Sequence, residues 1–175
     1  MTITPRYVSL LAAAALAAPL AAAAADIVVP HQLQVPTGQK LALDVRGVGV
    51  QIYVCSATDG GSYEWRLKAP EADLFDQQGR KVGKHYAGPT WEANDGSKVV
   101  GAVKAHQDDP HGAAIPWLLL NAKSTEGGGV FGKVDAIQRL ATDAGLAPKD
   151  GCAQAQLGQE ARVAYQAVYR FYSAN

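Results

Sequence analysis

The densest gathering of chemically able side chains in this 175-residue sequence lies between His85 and Ser97. An imidazole (His85), an indole (Trp91), two carboxylates (Glu92 and Asp95) and a hydroxyl (Ser97) fall within that one stretch. If Asn94-Asp95-Gly96-Ser97 folds back as a hairpin turn, these groups gather near one edge of a sheet. A Trp face beside carboxylates suits a sugar ring, whose apolar C–H face stacks while its hydroxyls donate to the acids. Glu92 and Asp95 are also the one attractive local acid couple for glycoside hydrolysis, in which one carboxyl must act as acid and the other as base or nucleophile. A Ser97–His85–Asp95 triad can be written, but no G-x-S-x-G elbow accompanies it. The same residues have a simpler use: Gly88-Pro89 and Asp95-Gly96 are ordinary turn chemistry, Trp91 fits a core, and Glu92 fits a solvated face. A cleft holding both carboxylates and Trp91 would favour an enzyme. A buried Trp91 in a filled core would remove both the ligand-binding and the hydrolytic versions of this cluster.

A second polar cluster, His106-Gln107-Asp108-Asp109-Pro110-His111, holds two imidazoles and two carboxylates. Its spacing matches no zinc signature, so no metal site is assigned. Gly127-Gly128-Gly129 lacks the Lys and Ser or Thr of a phosphate-binding loop, and no cofactor is expected. Cys55 and Cys152 are the two cysteines. Without a C-x-x-C spacing they read as a disulfide, whose long loop is worth about 4–5 kcal/mol in the chain-entropy model.

The elements that must position these groups are mostly strands. Leu41, Leu43 and Val45 alternate with polar neighbours, and Val48–Ala57 follows with Val50, Ile52 and Val54 on one face and Gln51, Tyr53 and Cys55 on the other. Tyr63, Trp65, Leu67 and Ala69 alternate strictly with Glu64, Arg66 and Lys68. Asp76-Gln77-Gln78-Gly79 reads as a hairpin loop between Leu74-Phe75 and Lys81–Tyr86, and Val99–Ala105 and Ile115–Ala122 read as further strands. Two segments fit either period. Val134, Ala136, Gln138 and Leu140 alternate, yet Ile137, Leu140, Ala141 and Ala144 make a helical stripe. Val163, Tyr165, Ala167, Tyr169 and Phe171 share one face at period two, and their aromatic and β-branched content favours strand. Trp65, Trp117, Tyr165, Tyr169 and Phe171 are expected in the core. Eight to ten short strands with tight turns predict a single mainly β domain, an antiparallel sandwich or barrel.

Several spacings together resemble one family. These are Gly49-Val50-Gln51-Ile52-Tyr53-Val54-Cys55, then Trp65-x-Leu67-x-Ala69-Pro70-x-Ala72-x-Leu74-Phe75 and His85-Tyr86-x-Gly88-Pro89-x-Trp91-Glu92-x-x-Asp95-Gly96-Ser97-x-Val99. Ile115-Pro116-Trp117-Leu118-Leu119, Ile137-Gln138-Arg139-Leu140-x-Thr142 and Ala147-Pro148 before Cys152 complete the set. Over nearly the whole chain after residue 25, the pattern resembles the exported bacterial and fungal family called domain of unknown function 3455. The resemblance implies an exported, mainly β domain with no established activity. Fungal members are sometimes labelled malate dehydrogenase, and the residues do not support that label. The nearest dinucleotide motif, Gly47-Val48-Gly49-Val50-Gln51-Ile52, lacks its third glycine and continues as strand where a helix should start.

The N-terminus divides like a secretory signal. Arg6 gives a positive start, Tyr7–Ala25 carries no charge, and Ala21–Ala25 offers small residues before Asp26, so cleavage is expected after Ala25. Residues 1–25 are thus a signal peptide and 26–175 the domain, expected in the periplasm or secreted, with no membrane insertion after cleavage. Removing Arg6 leaves 15 basic against 16 acidic residues, a net charge of −1, which argues against nucleic acid as a partner. The leading expectation is a non-enzymatic envelope or extracellular module binding a small molecule, a glycan or an envelope protein. The alternative is a carbohydrate-active hydrolase using Glu92 and Asp95.

Overall fold

The computed structural model describes residues 26–174; the signal-peptide reading of residues 1–25 lies outside them. Eight antiparallel strands follow one another around a closed barrel: β1 (Gln39–Ala57), β2 (Tyr63–Phe75), β3 (Lys81–Tyr86), β4 (Thr90–Ala93), β5 (Lys98–Gln107), β6 (Trp117–Glu126), β7 (Ala136–Ala144) and β8 (Glu160–Ala174). Each pairs with its sequence neighbour, and β8 closes onto β1 from Gln39↔Ala174 to Val54↔Glu160. Of the two expected architectures, the barrel is the one formed, and both ambiguous segments are strands. Closure is incomplete on one side: β2 pairs with β3 only over Ala72–Phe75 and β5 with β4 only over Lys98–Val100. An eight-stranded barrel has an interior that side chains just fill, or that holds one small ligand.

Two segments read separately form the single strand β1, and the dinucleotide-like Gly47–Ile52 lies within it. Gly47 is no breaker. A Cβ there would sit 2.5 Å from Cε2 of Tyr169, so glycine makes room for an inward ring. The inward face of β1 is also the reverse of what hydrophobicity suggests: Val45, Gln51, Tyr53 and Cys55 point inward. Val50, Ile52 and Val54 lie on the outer face, beneath ion pairs that join the flanking strands across β1. One runs from Arg162 Nη2 of β8 to Glu71 Oε1 of β2 at 2.8 Å, and Lys68 pairs with Glu160 beside it. The stems of these long side chains cover apolar surface.

The barrel is filled at one end, and its other half is parted on one side, between β2 and β5 beyond the short β3–β4 hairpin. At the filled end Val45, Leu74, Trp91, Val99, Phe131, Ile137, Tyr169 and Phe171 form the main core. The loop between β6 and β7 folds inward and buries Phe131 there, so residues 130–135 are a stopper rather than part of a regular element. A second core lies outside the barrel. Leu33, Leu119 and Leu140 are buried with Ile27, Val29, Val35, Trp117 and Val168, so the lead-in segment straps over β6, β7 and β8. Gln138, on that outer face, donates from Nε2 to the Leu33 carbonyl at 2.6 Å. Of the expected core aromatics, Tyr165, Tyr169 and Phe171 are buried inside, while Trp65 and Trp117 are half-buried at the periphery. The expected disulfide joins Cys55 to Cys152, tying the β7–β8 loop to the C-terminal end of β1.

Candidate functional site

The five residues singled out between His85 and Ser97 divide between the barrel interior, its outer face and the turn at its filled end. β4 alternates, so Trp91 faces in and Glu92 faces out. The Glu92 carboxylate accepts from Tyr86 Oη at 2.7 Å and pairs with Lys84 Nζ at 3.3 Å. The Tyr86 hydroxyl, helped by Lys84, holds the Glu92 carboxyl below the ordinary range.

Asp95 and Ser97 sit in the β4–β5 turn at the filled end. Asp95 Oδ1 accepts from the Ser97 backbone N–H at 2.9 Å and from Ser97 Oγ at 2.6 Å, and Oδ2 accepts from the Val130 N–H at 2.9 Å. Ser97 Oγ in turn accepts the buried Phe131 N–H at 3.1 Å. The pair therefore seats the stopper loop. Those bonds, the Ser97 hydroxyl first, hold the Asp95 carboxyl low as well. A glycosidase pair needs one carboxyl kept protonated near neutral pH, and both of these are pushed the other way. The arrangement gives hydrolysis no support.

His85 takes no part with Asp95 or Ser97. Its ring stacks on Trp91, with centroids 4.3 Å apart and planes 10° from parallel, and Nδ1 lies 2.8 Å from the Thr90 carbonyl oxygen. A carbonyl only accepts, so Nδ1 carries the proton and Nε2 keeps its lone pair. Burial drives the His85 pKa down to about 3, with the charge of Arg139 adding to the effect. The imidazole is neutral under physiological conditions. The polar loop His106–His111 gathers no third ligand: among the described residues no group of three or more His, Cys, Asp or Glu side chains is placed to hold a metal.

What His85 and Trp91 do share is a cavity of about 370 Å³ in the open half of the barrel. Gln51 of β1, Leu120 of β6 and Arg139 of β7 line it with them, and the β3–β4 turn Ala87-Gly88-Pro89 forms part of its wall. Leu67 and Val103 stand at its rim, 57% and 58% exposed, although both are large apolar side chains. Gly101 keeps the interior open beside Trp91, since a Cβ there would lie 3.0 Å from both Trp91 Cζ3 and Leu120 Cδ2.

The polar groups at this cavity are incompletely used. Among the described residues three buried side-chain polar atoms lack a hydrogen-bond partner, and two of them, Trp91 Nε1 and Gln51 Nε2, belong to residues lining it. Both side chains are almost wholly buried, Trp91 at 1% and Gln51 at 2% exposure. A buried donor left unpaired costs about 1–3 kcal/mol. Neither nitrogen has as much as 1 Å² of accessible surface, so both stand just behind the cavity lining.

Arg139 is the third polar feature. It pairs with Leu118 and Tyr169 in the ladders and faces inward, above Ile137. Its Nε and Nη2 donate to the Pro116 carbonyl at 3.0 and 2.8 Å, which fixes the guanidinium. Among the described residues no carboxylate lies within ion-pairing distance of it. Its charge reaches the interior tyrosines: burial raises the Tyr53, Tyr165 and Tyr169 hydroxyls, and Arg139 opposes the shift in all three. Beyond Leu140, β7 leaves its register with β8, and Ala141 and Ala144 adopt φ of 45° and 55°. Such irregularity is common where a strand is bent around a site.

Gln51, Arg139, Leu67, Val103 and Leu120 were not among the residues the sequence singled out. Arg139 had a signal, since it lies two positions from Ile137 on what becomes the inward face. Leu67 and Val103 had none, because exposure of an apolar strand residue is invisible in an alternating pattern.

The family model described as "Protein of unknown function (DUF3455)" matches residues 36–173. No curated protein and no solved structure matches the chain. The match takes in nearly the whole barrel, including Gln51, His85, Trp91 and Arg139, and the chain belongs to the DUF3455 family.

Proposed function

We propose that this protein is an exported, non-enzymatic binding module that holds a small molecule in the open half of its barrel. The observation that carries the reading is the coincidence at one cavity of two buried, unpartnered donors with two exposed apolar rim residues. Pockets for small molecules combine an apolar lining with a few polar groups that orient the ligand. Here Leu67, Val103 and Leu120 supply the first, and Gln51, Trp91 and Arg139 the second. The neutral, buried His85 and the depressed carboxyls of Glu92 and Asp95 leave none of the three suited to act as a general acid near neutral pH.

Export is supported by the N-terminal pattern ending at Ala25 and by the Cys55–Cys152 disulfide, which suits an oxidising compartment. Expression of the full chain in a bacterial host tests it. The exported fraction is expected to contain a product beginning at Asp26, and retention of the full-length chain in the cytosol would overturn this part.

Binding is tested by thermal denaturation against panels of small amphipathic compounds and of oligosaccharides. A ligand that binds only the folded state raises its stability in proportion to RT ln(1 + [L]/Kd). At least one amphipathic class is expected to raise Tm by several degrees in the wild type and to have no effect on Val103→Trp, whose indole blocks the rim. Unchanged melting with every small compound would sink the reading.

A further inference from the structure

Resting on the small-molecule reading, we infer that the ligand is a small organic anion: one carboxylate or similar oxyanion on a compact apolar body, with its charged end beside Arg139.

The charge balance of the cavity points this way. Two cationic side chains line it, Arg139 and Lys68, and no Asp or Glu does. Lys68 is already paired with Glu160 at the rim. Arg139 has no acidic partner among the described residues, and it faces the barrel interior. A guanidinium drawn out of water without a counter-charge is unfavourable, and an incoming oxyanion supplies that charge through charge-assisted hydrogen bonds.

The hydrogen-bonding character agrees independently. Indole nitrogen is a donor and never an acceptor, so Trp91 Nε1 asks for an acceptor atom. Gln51 Nε2 asks for another. Both nitrogens lie just behind the cavity surface, so the guanidinium of Arg139 is the donor that an oxyanion meets directly. A sugar would require carboxylate or carbonyl acceptors for its hydroxyl protons, and the cavity has no acidic side chain to offer. Apart from the neutral His85 the rest of the lining is apolar, with Pro70, Leu118 and Leu120 in the wall and Leu67 and Val103 at the mouth. That surface selects a hydrocarbon body over a bare inorganic anion.

A matched pair of fluorescent probes tests the inference. 8-Anilinonaphthalene-1-sulfonate and N-phenyl-1-naphthylamine share one apolar body, and only the first carries an anion. The wild type is expected to bind the sulfonate at least tenfold more tightly. Arg139→Gln should remove that preference while leaving the neutral probe's affinity within about twofold, and Arg139→Lys should restore part of it. Val103→Trp should abolish the response to both probes. Equal affinities in the wild type, with no effect of Arg139→Gln, would overturn the anion inference and leave the small-molecule site standing. Binding of neither probe, or a response that survives Val103→Trp, would overturn both. Should Arg139→Gln fail to fold, as judged by circular dichroism, the wild-type preference and the Arg139→Lys variant decide the matter.

Discussion

The rings of His85 and Trp91 lie flat against each other inside the barrel, 4.3 Å between centroids, joining two cross-strand partners of β3 and β4. The stack is closed on one side by Tyr169, whose ring meets Trp91 edge-on at 5.5 Å and His85 at 5.2 Å. It leaves the imidazole wholly desolvated, and that has a consequence for acid stability.

His85 binds its proton with a pKa of about 3 in the folded protein, against about 6.5 when unfolded. Between those values the unfolded chain holds more protons, so stability falls as pH drops below 6.5. The slope expected from His85 is about 1 kcal/mol per pH unit. Between pH 6.5 and about 4.5 ordinary carboxylates remain mostly ionised and add little. Urea denaturation across that range should show the slope, and His85→Phe, which keeps a stacked ring, should flatten it. An unchanged slope in the variant would mean that His85 is not held neutral.

Gly47→Ala is expected to destabilise the barrel by about 1–3 kcal/mol, because its Cβ would enter the Tyr169 ring. That ring cannot retreat easily, being hydrogen-bonded to Tyr165 Oη at 3.1 Å and packed on Trp91. Gly128→Ala meets nothing within 4 Å and serves as the control. Equal denaturation midpoints for the two variants would show that Gly47 has no packing role.

Ser97→Ala should loosen the stopper at the filled end. It removes the acceptor of the buried Phe131 N–H and the donor to Asp95, at a cost of about 1–3 kcal/mol. The urea midpoint should fall while the dependence on denaturant stays the same. Probe binding at the cavity should be unaffected in the folded variant. A Ser97→Ala protein of full stability would remove the structural role assigned to this hydroxyl.

Much of the barrel was legible in the residues. The strict alternation of Tyr63, Trp65 and Leu67 lies in β2. Asp76–Gly79 and Asn94–Ser97 make the expected turns, with Gly79 and Gly96 at φ of 74° and 83°. The Tyr165–Phe171 face is buried as its period-two spacing implies. Two kinds of feature were not legible. The first is which face of a strand looks inward when both carry apolar groups: β1 turns Gln51 and Tyr53 inside because ion pairs shelter Val50 and Ile52 outside, and β7 buries Leu140 under the lead-in segment and Ile137 within. The second is the site itself. Polar density drew attention to Glu92 and Asp95, yet exposed strand faces and turns collect polar residues for solvation and capping. The groups at the cavity are scattered from Gln51 to Arg139, one or two per strand, and only closure of the sheet brings them together.

The indole resonances of Trp65, Trp91 and Trp117 in the ¹H–¹⁵N spectrum report on that cavity most directly. Trp65 Nε1 already donates to the Asp150 carbonyl at 2.9 Å, and Trp117 packs outside the barrel, whereas Trp91 Nε1 has no partner. On titration with 8-anilinonaphthalene-1-sulfonate, the Trp91 signal should move, since its indole lines the cavity, while the other two stay in place. A Trp91 signal that holds still while the probe saturates would show that the barrel interior is not where this protein takes its ligand.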